Sequence, residues 1–164
     1  MFELKPILKE AIPRALEKAE RYRLLNEPSE AESICRDILQ VDPDNQQALI
    51  TLLLAMTDQF HKGAAVNQSR ELLPSIHGEY EKAYYAGIIC ERWGKVQLDH
   101  SVPGSGFIAY DLLREAMSWF EKAEAIRPPG NDDPILRWNA CARILMKNPN
   151  IKPGPRETIE LPLE

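Results

Sequence analysis

The chain has 164 residues, 44% of them hydrophobic, and a net charge of -5, which suits one domain built around one buried core. The acidic balance argues against a nucleic-acid partner, which needs clustered Lys and Arg to release phosphate counterions. No apolar run approaches the roughly 18 residues of a membrane span, and Glu3 and Glu10 interrupt the stretch MFELKPILKEAIP that would otherwise resemble a signal peptide, so no membrane contact and a cytoplasmic location are expected.

At the N-terminus, Phe2, Leu4, Ile7, Leu8 and Ile12 have helical spacing and are expected to extend or precede a first helix, with Pro6 and Pro13 limiting its regularity. The stretch Tyr22 to Asn45 then reads YRLLNEPSEAESICRDILQVDPDN, two amphipathic pieces separated by Asn-Glu-Pro-Ser and closed by a Pro. A lone hairpin of two helices cannot bury both apolar faces, so this punctuation predicts further hairpins that stack on it. Ser29 with Glu32 and Asp44 with Gln47 have the spacing of capping boxes, and Asp133 followed by Pro134 predicts another helix start. Gly63, Pro74 with Gly78, and the run PPGNDDP supply breaks.

A shift of 34 residues places Tyr22 over Met56 and Met56 over Cys90, and Ala31 over Ala65. The next matching Ala is Ala116, which indicates a 17-residue insertion in the third unit. Ala31, Cys35 and Pro43 have the same internal spacing as Ala116, Phe120 and Pro128. A period of this length built from two helices resembles the tetratricopeptide repeat. The resemblance is carried by Tyr22, Ala31, Cys35 and Pro43, then by Leu49, Leu52, Met56 and Ala65, then by Ala83, Ala86, Gly87, Cys90, Ala116, Phe120, Ala123 and Pro128. Trp138, Cys141, Ala142 and Leu145 begin a fourth unit without a second helix, while Ser69 and His77 depart from the pattern in the second. The expected fold is an all-α helical-hairpin solenoid over residues 1–147, with about three repeats and a closing helix at Asp133 to Lys147. Residues 91–110 would lengthen both helices of the third hairpin around the turn VPGSG, forming either a cap or a contact surface. Residues 148–164 form a Pro-rich extended or disordered tail.

Catalytic patterns are weak. Cys35, Cys90 and Cys141 are far apart and sit in apolar helical patterns, so they read as buried structural thiols. Asp58 and His61 could share a helix face, but no further metal ligands lie near them in sequence. Asp99, His100 and Ser101 are consecutive, so their side chains diverge, and GSG at 104–106 lacks the strand and lysine of a phosphate loop. A hydrolytic or metal-dependent enzyme is therefore disfavoured, and no metal and no cofactor are expected.

The resemblance implies a protein or peptide partner, of unidentified kind, bound along a concave groove lined by the first helix of each repeat. Carried over by the repeat spacing, the groove positions are Leu16, Glu20, Arg23, Gln47, Ile50, Leu54, Thr57, Glu81, Tyr84, Ile88, Glu91, Leu136, Asn139 and Arg143. The carboxylate clamp known for such grooves is not matched: Leu16, Glu20, Thr51, Glu81 and Tyr85 stand at its basic and amide positions. An apolar or basic-flanked peptide is the expected ligand. The alternative is a self-assembling homo-oligomeric subunit. The tail segment Ile159 to Leu163, in TIELPLE, is expected to occupy an apolar groove on its own chain or on a neighbouring copy.

Overall fold

The computed structural model describes residues 1–62, 65–100 and 102–155, and among these the only regular structure is helical. Seven α-helices follow in order: α1 (Ile12–Leu24), α2 (Pro28–Val41), α3 (Gln46–Thr57), α4 (Val66–Glu71), α5 (Glu79–Asp99), α6 (Ser105–Ala125) and α7 (Asp133–Lys147). Short 3-10 turns precede α1 and flank α4.

Residues 1–8 are not helical, although their apolar spacing is that of a helix. Pro13 lies in the first turn of α1, where its fixed φ suits a helix start, and its ring would clash with the carbonyl of an earlier turn. The apolar residues Phe2, Leu4 and Leu8 consequently stand in solvent, while Ile7 packs against the cluster of Ile12, Leu16, Ile38 and Ala48.

The link from α1 to α2 is short because Asn26 accepts a left-handed conformation, φ 60°, which Asn tolerates better than most residues. The Glu27 amide then donates to the Tyr22 carbonyl at 2.8 Å, closing the helix end. Pro28 opens α2 behind Glu27, so Ser29 already lies inside the helix and the expected Ser29 capping box does not form. At the other end Pro43 forbids continuation. Asn45 rather than Asp44 caps α3, accepting from the Ala48 amide at 2.9 Å. Gln47 is thereby released from the expected capping role and reaches Glu20 instead. The start of α7 shows the same displacement: Asn131 Oδ1 accepts from the Asp133 amide at 3.0 Å, and Asp133 is the first helical residue.

Four parts of the core follow the chain, the first made by Ile12, Leu16, Ile38 and Ala48. Ala19, Ala31, Cys35, Leu52, Ala55 and Met56 join α1, α2 and α3. The small side chains at 19, 31 and 55 let the helices approach to packing distance. Leu53, Phe60, Val66, Ile76 and Ile89 tie α3 through α4 to α5. α3 is apolar on nearly every side and lies inside the stack. α4 is only six residues long, because the Leu73–Ser75 turn containing Pro74 replaces its continuation.

The two longest helices, α5 and α6, have 21 residues each and pack against each other along their length. Gly87 makes this possible, since a Cβ there would lie 2.6 Å from Cε1 of the buried Phe120. Gly104, at φ 84°, turns the chain between the two helices, and the Ser105 hydroxyl donates to the His100 carbonyl at 2.8 Å. α7 packs on α6, with Cys141 in the core and Trp138 Nε1 donating to Glu121 at 3.0 Å. The first part of the tail belongs to this packing: Ile151 is buried beside Gly106 and joins the core of α5, α6 and α7. The expectation for Ile159 to Leu163 falls outside the described residues. No helix among those described is long and apolar enough to cross a membrane.

Candidate functional site

Side chains of α1 and α3 enclose a surface hollow of about 460 Å³ lined by Glu20, Arg23, Leu24, Gln47, Ile50, Thr51 and Leu54. Five of these, Glu20, Arg23, Gln47, Ile50 and Leu54, are positions expected from the repeat spacing. They converge because a step of three or four residues repeats on one helix face. Gln47 Nε2 donates to Glu20 Oε1 at 2.9 Å and so ties α3 to α1 at the rim. Leu54 is only partly buried and contacts both the α3–α5 core and the α5–α7 core, together with Tyr85. Tyr84 continues the apolar surface onto α5, stacked on Tyr80 at 5.9 Å and tilted against Phe120 at 5.8 Å. Burial pushes the Tyr84 phenol up to about 12, so its hydroxyl is neutral at ordinary pH. Glu81 sits half-buried one turn before it, near Gly78.

Other expected groove positions are core residues. Leu16 packs with Ile12, Ile38 and Ala48, because Ile12, Leu16 and Ala19 form the inner stripe of α1. Thr57 is buried and its hydroxyl donates to the Leu54 carbonyl at 2.7 Å. Ile88 lies in the α5–α7 core with Leu113 and Met117. Glu91 is buried as well, and its carboxylate meets Arg137 Nη2 at 3.0 Å and Lys95 Nζ at 3.9 Å, with Cys141 Sγ donating at 3.6 Å. On α7, Leu136 and Arg143 are exposed and Asn139 is half-buried, so Leu136 faces solvent rather than the α1–α3 hollow.

Residues that repeat spacing did not single out complete the surface. Arg23 Nε donates to Asp58 Oδ2 at 2.7 Å and Arg92 Nη1 lies 3.6 Å from Asp58 Oδ1, which links α1, the end of α3 and α5. Arg92, Lys95 and Arg137 were hidden because a charged side chain on a helix reads as solvated until its partner on another helix is known. The only sequence signal was a cluster of charges around Glu91, in ERWGK.

The groups weighed for catalysis do not converge. Asp58 turns to the two arginines, and His61 is exposed in the following turn. His77 pairs with Asp44 at 3.0 Å on the surface. Asp99 and His100 are exposed, and Ser101 lies outside the described residues. Cys35, Cys90 and Cys141 are free and buried, and burial pushes each thiol up to about 12, which keeps it protonated and unreactive. Among the described residues no three His, Cys, Asp or Glu side chains are placed to hold a metal ion.

Compared with known proteins, the chain matches no family model, no curated protein and no solved structure.

Proposed function

We propose that the chain is a non-enzymatic interaction module, a tetratricopeptide-like stack of helical hairpins that takes a peptide or protein segment in the groove of α1, α3 and α5. The observation that carries this reading is the hollow between α1 and α3, where Ile50 and Leu54 form an apolar floor and Glu20, Arg23 and Gln47 a polar rim. Binding surfaces commonly have this layout, since an apolar centre supplies affinity and a polar rim orientation. The packing order agrees: α1 contacts α2 and α3, α3 contacts α4 and α5, and α6 lies between α5 and α7. Each helix thus meets its neighbour, and α3 also meets α1 and α5, as the first helices of stacked hairpins do.

A capture experiment tests the reading. Immobilised full-length chain should retain a stoichiometric partner from native lysate, and Leu54→Asp should release it without changing the helical circular dichroism. Retention that survives Leu54→Asp would remove the groove from the account.

Self-assembly is the second reading, favoured by the apolar side chains on the outer side of α7, where Leu136 is 62% and Met146 73% exposed. Light scattering separates the two. A stable homo-oligomer that captures no other protein supports assembly, and a monomer excludes it.

A further inference from the structure

A stack of helical hairpins ends in two faces that no further hairpin covers, and a soluble stack keeps those faces polar. Neither end of this chain does so. At the first end, Ile7, Tyr22 and Ile34 floor a hollow of about 290 Å³ whose charged residues are Lys18, Glu30 and Asp37. It opens away from α3. Gln47 of α3 and Gln59 just beyond it bond Glu20 of α1 and Glu32 of α2, and residues two apart on a helix point about 200° from each other. The stripe of Lys18 and Tyr22 and that of Glu30 and Ile34 therefore lie on the far side. An adjoining hollow of about 380 Å³ shares Asp37 and adds the exposed Leu4 and Gln40. One trough thus runs along α2 from Glu30 to Gln40, about 15 Å at the helical rise.

At the last end, Leu136, Asn139, Arg143 and Met146 follow one another on α7 in steps of three and four, which makes a single stripe, and Lys147 extends it. Leu136 and Met146 are exposed on that stripe, which is about 16 Å long. The charges of the two ends are opposite. The trough has two carboxylates, Glu30 and Asp37, against one cation, Lys18, whereas the stripe has Arg143 and Lys147 and no acid. None of these five side chains is in an ion pair among the described residues.

We propose that the two ends fit each other in successive copies of the chain: α7 of one copy lies in the α1–α2 trough of the next, where Leu136 and Met146 cover the apolar floor and Arg143 and Lys147 stand beside Glu30 and Asp37. Resting on the self-assembly reading above, this contact joins unlike surfaces, so every assembly keeps a free end and growth does not stop at a dimer. The α1–α3 hollow shares no lining residue with the trough and stays open in such an array.

Sedimentation velocity of the full-length chain over a concentration series tests the contact. The mean mass should rise with concentration past that of a dimer. Glu30→Lys with Asp37→Lys spoils the trough, and Leu136→Asp with Met146→Asp spoils the stripe. Each double variant should associate at least about tenfold more weakly than the parent, with its helical circular dichroism unchanged. Mixed in equal amounts, the two variants should form a dimer and nothing larger, since each supplies the end that the other lacks. A parent that stops at a dimer, an oligomer that either variant still forms, or a mixture that stays monomeric would overturn the proposal and leave self-assembly through another surface. A parent that is monomeric up to about 1 mM overturns both the contact and the self-assembly reading.

Discussion

Replacing Gly87 by Ala adds one methyl group at the tightest approach of α5 to α6. The new Cβ would lie 2.6, 2.8 and 3.0 Å from Cε1, Cδ1 and Cζ of Phe120, all inside van der Waals contact. Phe120 is fully buried, with the Tyr84 ring 5.8 Å away, so the ring has no free space into which to turn. Overpacking of a filled core costs about 1–3 kcal/mol, while exchanging Gly for Ala inside a helix returns about 1 kcal/mol. At this distance from a rigid ring the upper part of the overpacking range applies, leaving a net loss of about 1–2 kcal/mol. Gly94 is the internal control, since its Cβ would meet Leu113 Cγ at 3.2 Å and Leu112 Cβ at 3.3 Å, distances that ask the neighbours to give by only a few tenths of an ångström. There the helix-propensity gain offsets the crowding, and Gly94→Ala should lie within about 0.5 kcal/mol of the parent. For a chain of this size each kcal/mol moves the melting temperature by about 2–4 °C. Urea unfolding of both variants reads the difference directly. A Gly87→Ala protein as stable as Gly94→Ala would show that α5 and α6 do not pack in this register.

Three further outcomes follow from the same packing. Ala31→Leu and Ala116→Leu insert three carbons at fully buried positions and should each cost about 1–3 kcal/mol in thermal or urea unfolding. Arg137→Met leaves the buried Glu91 carboxylate with the Cys141 thiol at 3.6 Å and, as a cation, Lys95 at 3.9 Å and should cost about 3 kcal/mol, whereas adding Glu91→Leu should recover most of it; additive losses in this double-mutant cycle would rule out the pair as a coupled unit. The three thiols have folded values of about 12 against an ordinary 9.0. Being raised on folding, they contribute stability that is complete below pH 9 and lost as pH climbs towards 12. Each ionising thiol adds about 1.4 kcal/mol per pH unit to that loss. Unfolding free energies should therefore hold from pH 7.5 to 8.5 and fall steeply by pH 10.5, and a flat profile would place the thiols outside the core.

Much of the helical order was legible because its punctuation is chemical and local. Pro13, Pro28, Pro43 and Pro134 lie at helix starts or just past a helix end, and Asp133 to Lys147 bounds a helix as expected. The caps were misread by one residue or more. A capping-box pattern cannot say whether Asn45 or its neighbour Asp44 turns its side chain inward, and Pro28 moved the start of α2 ahead of Ser29. In the groove, repeat spacing fixes the angle of a side chain around its own helix, which sufficed for Ile50 and Leu54. It carries no account of what lies opposite. Leu16 and Ile88 are covered by α2 and α6, Glu91 is enclosed with Arg137 of α7, and Thr57 is buried at the end of α3, so four nominal groove residues became core. The cations at 92, 95 and 137 became visible only with their partners in place, Asp58 at the end of α3 for Arg92 and the buried Glu91 for Lys95 and Arg137.

Hydrogen exchange of the full-length chain, with and without its captured partner, locates the surface that the partner covers. A partner in the groove of α1, α3 and α5 should slow exchange over Glu20 to Leu24, Gln47 to Asp58 and Tyr84 to Lys95 and leave the outward faces of α2 and α6 unchanged. Protection confined to α2 and α6, or to the outer side of α7 around Leu136 and Met146, would contradict a groove built by α1, α3 and α5.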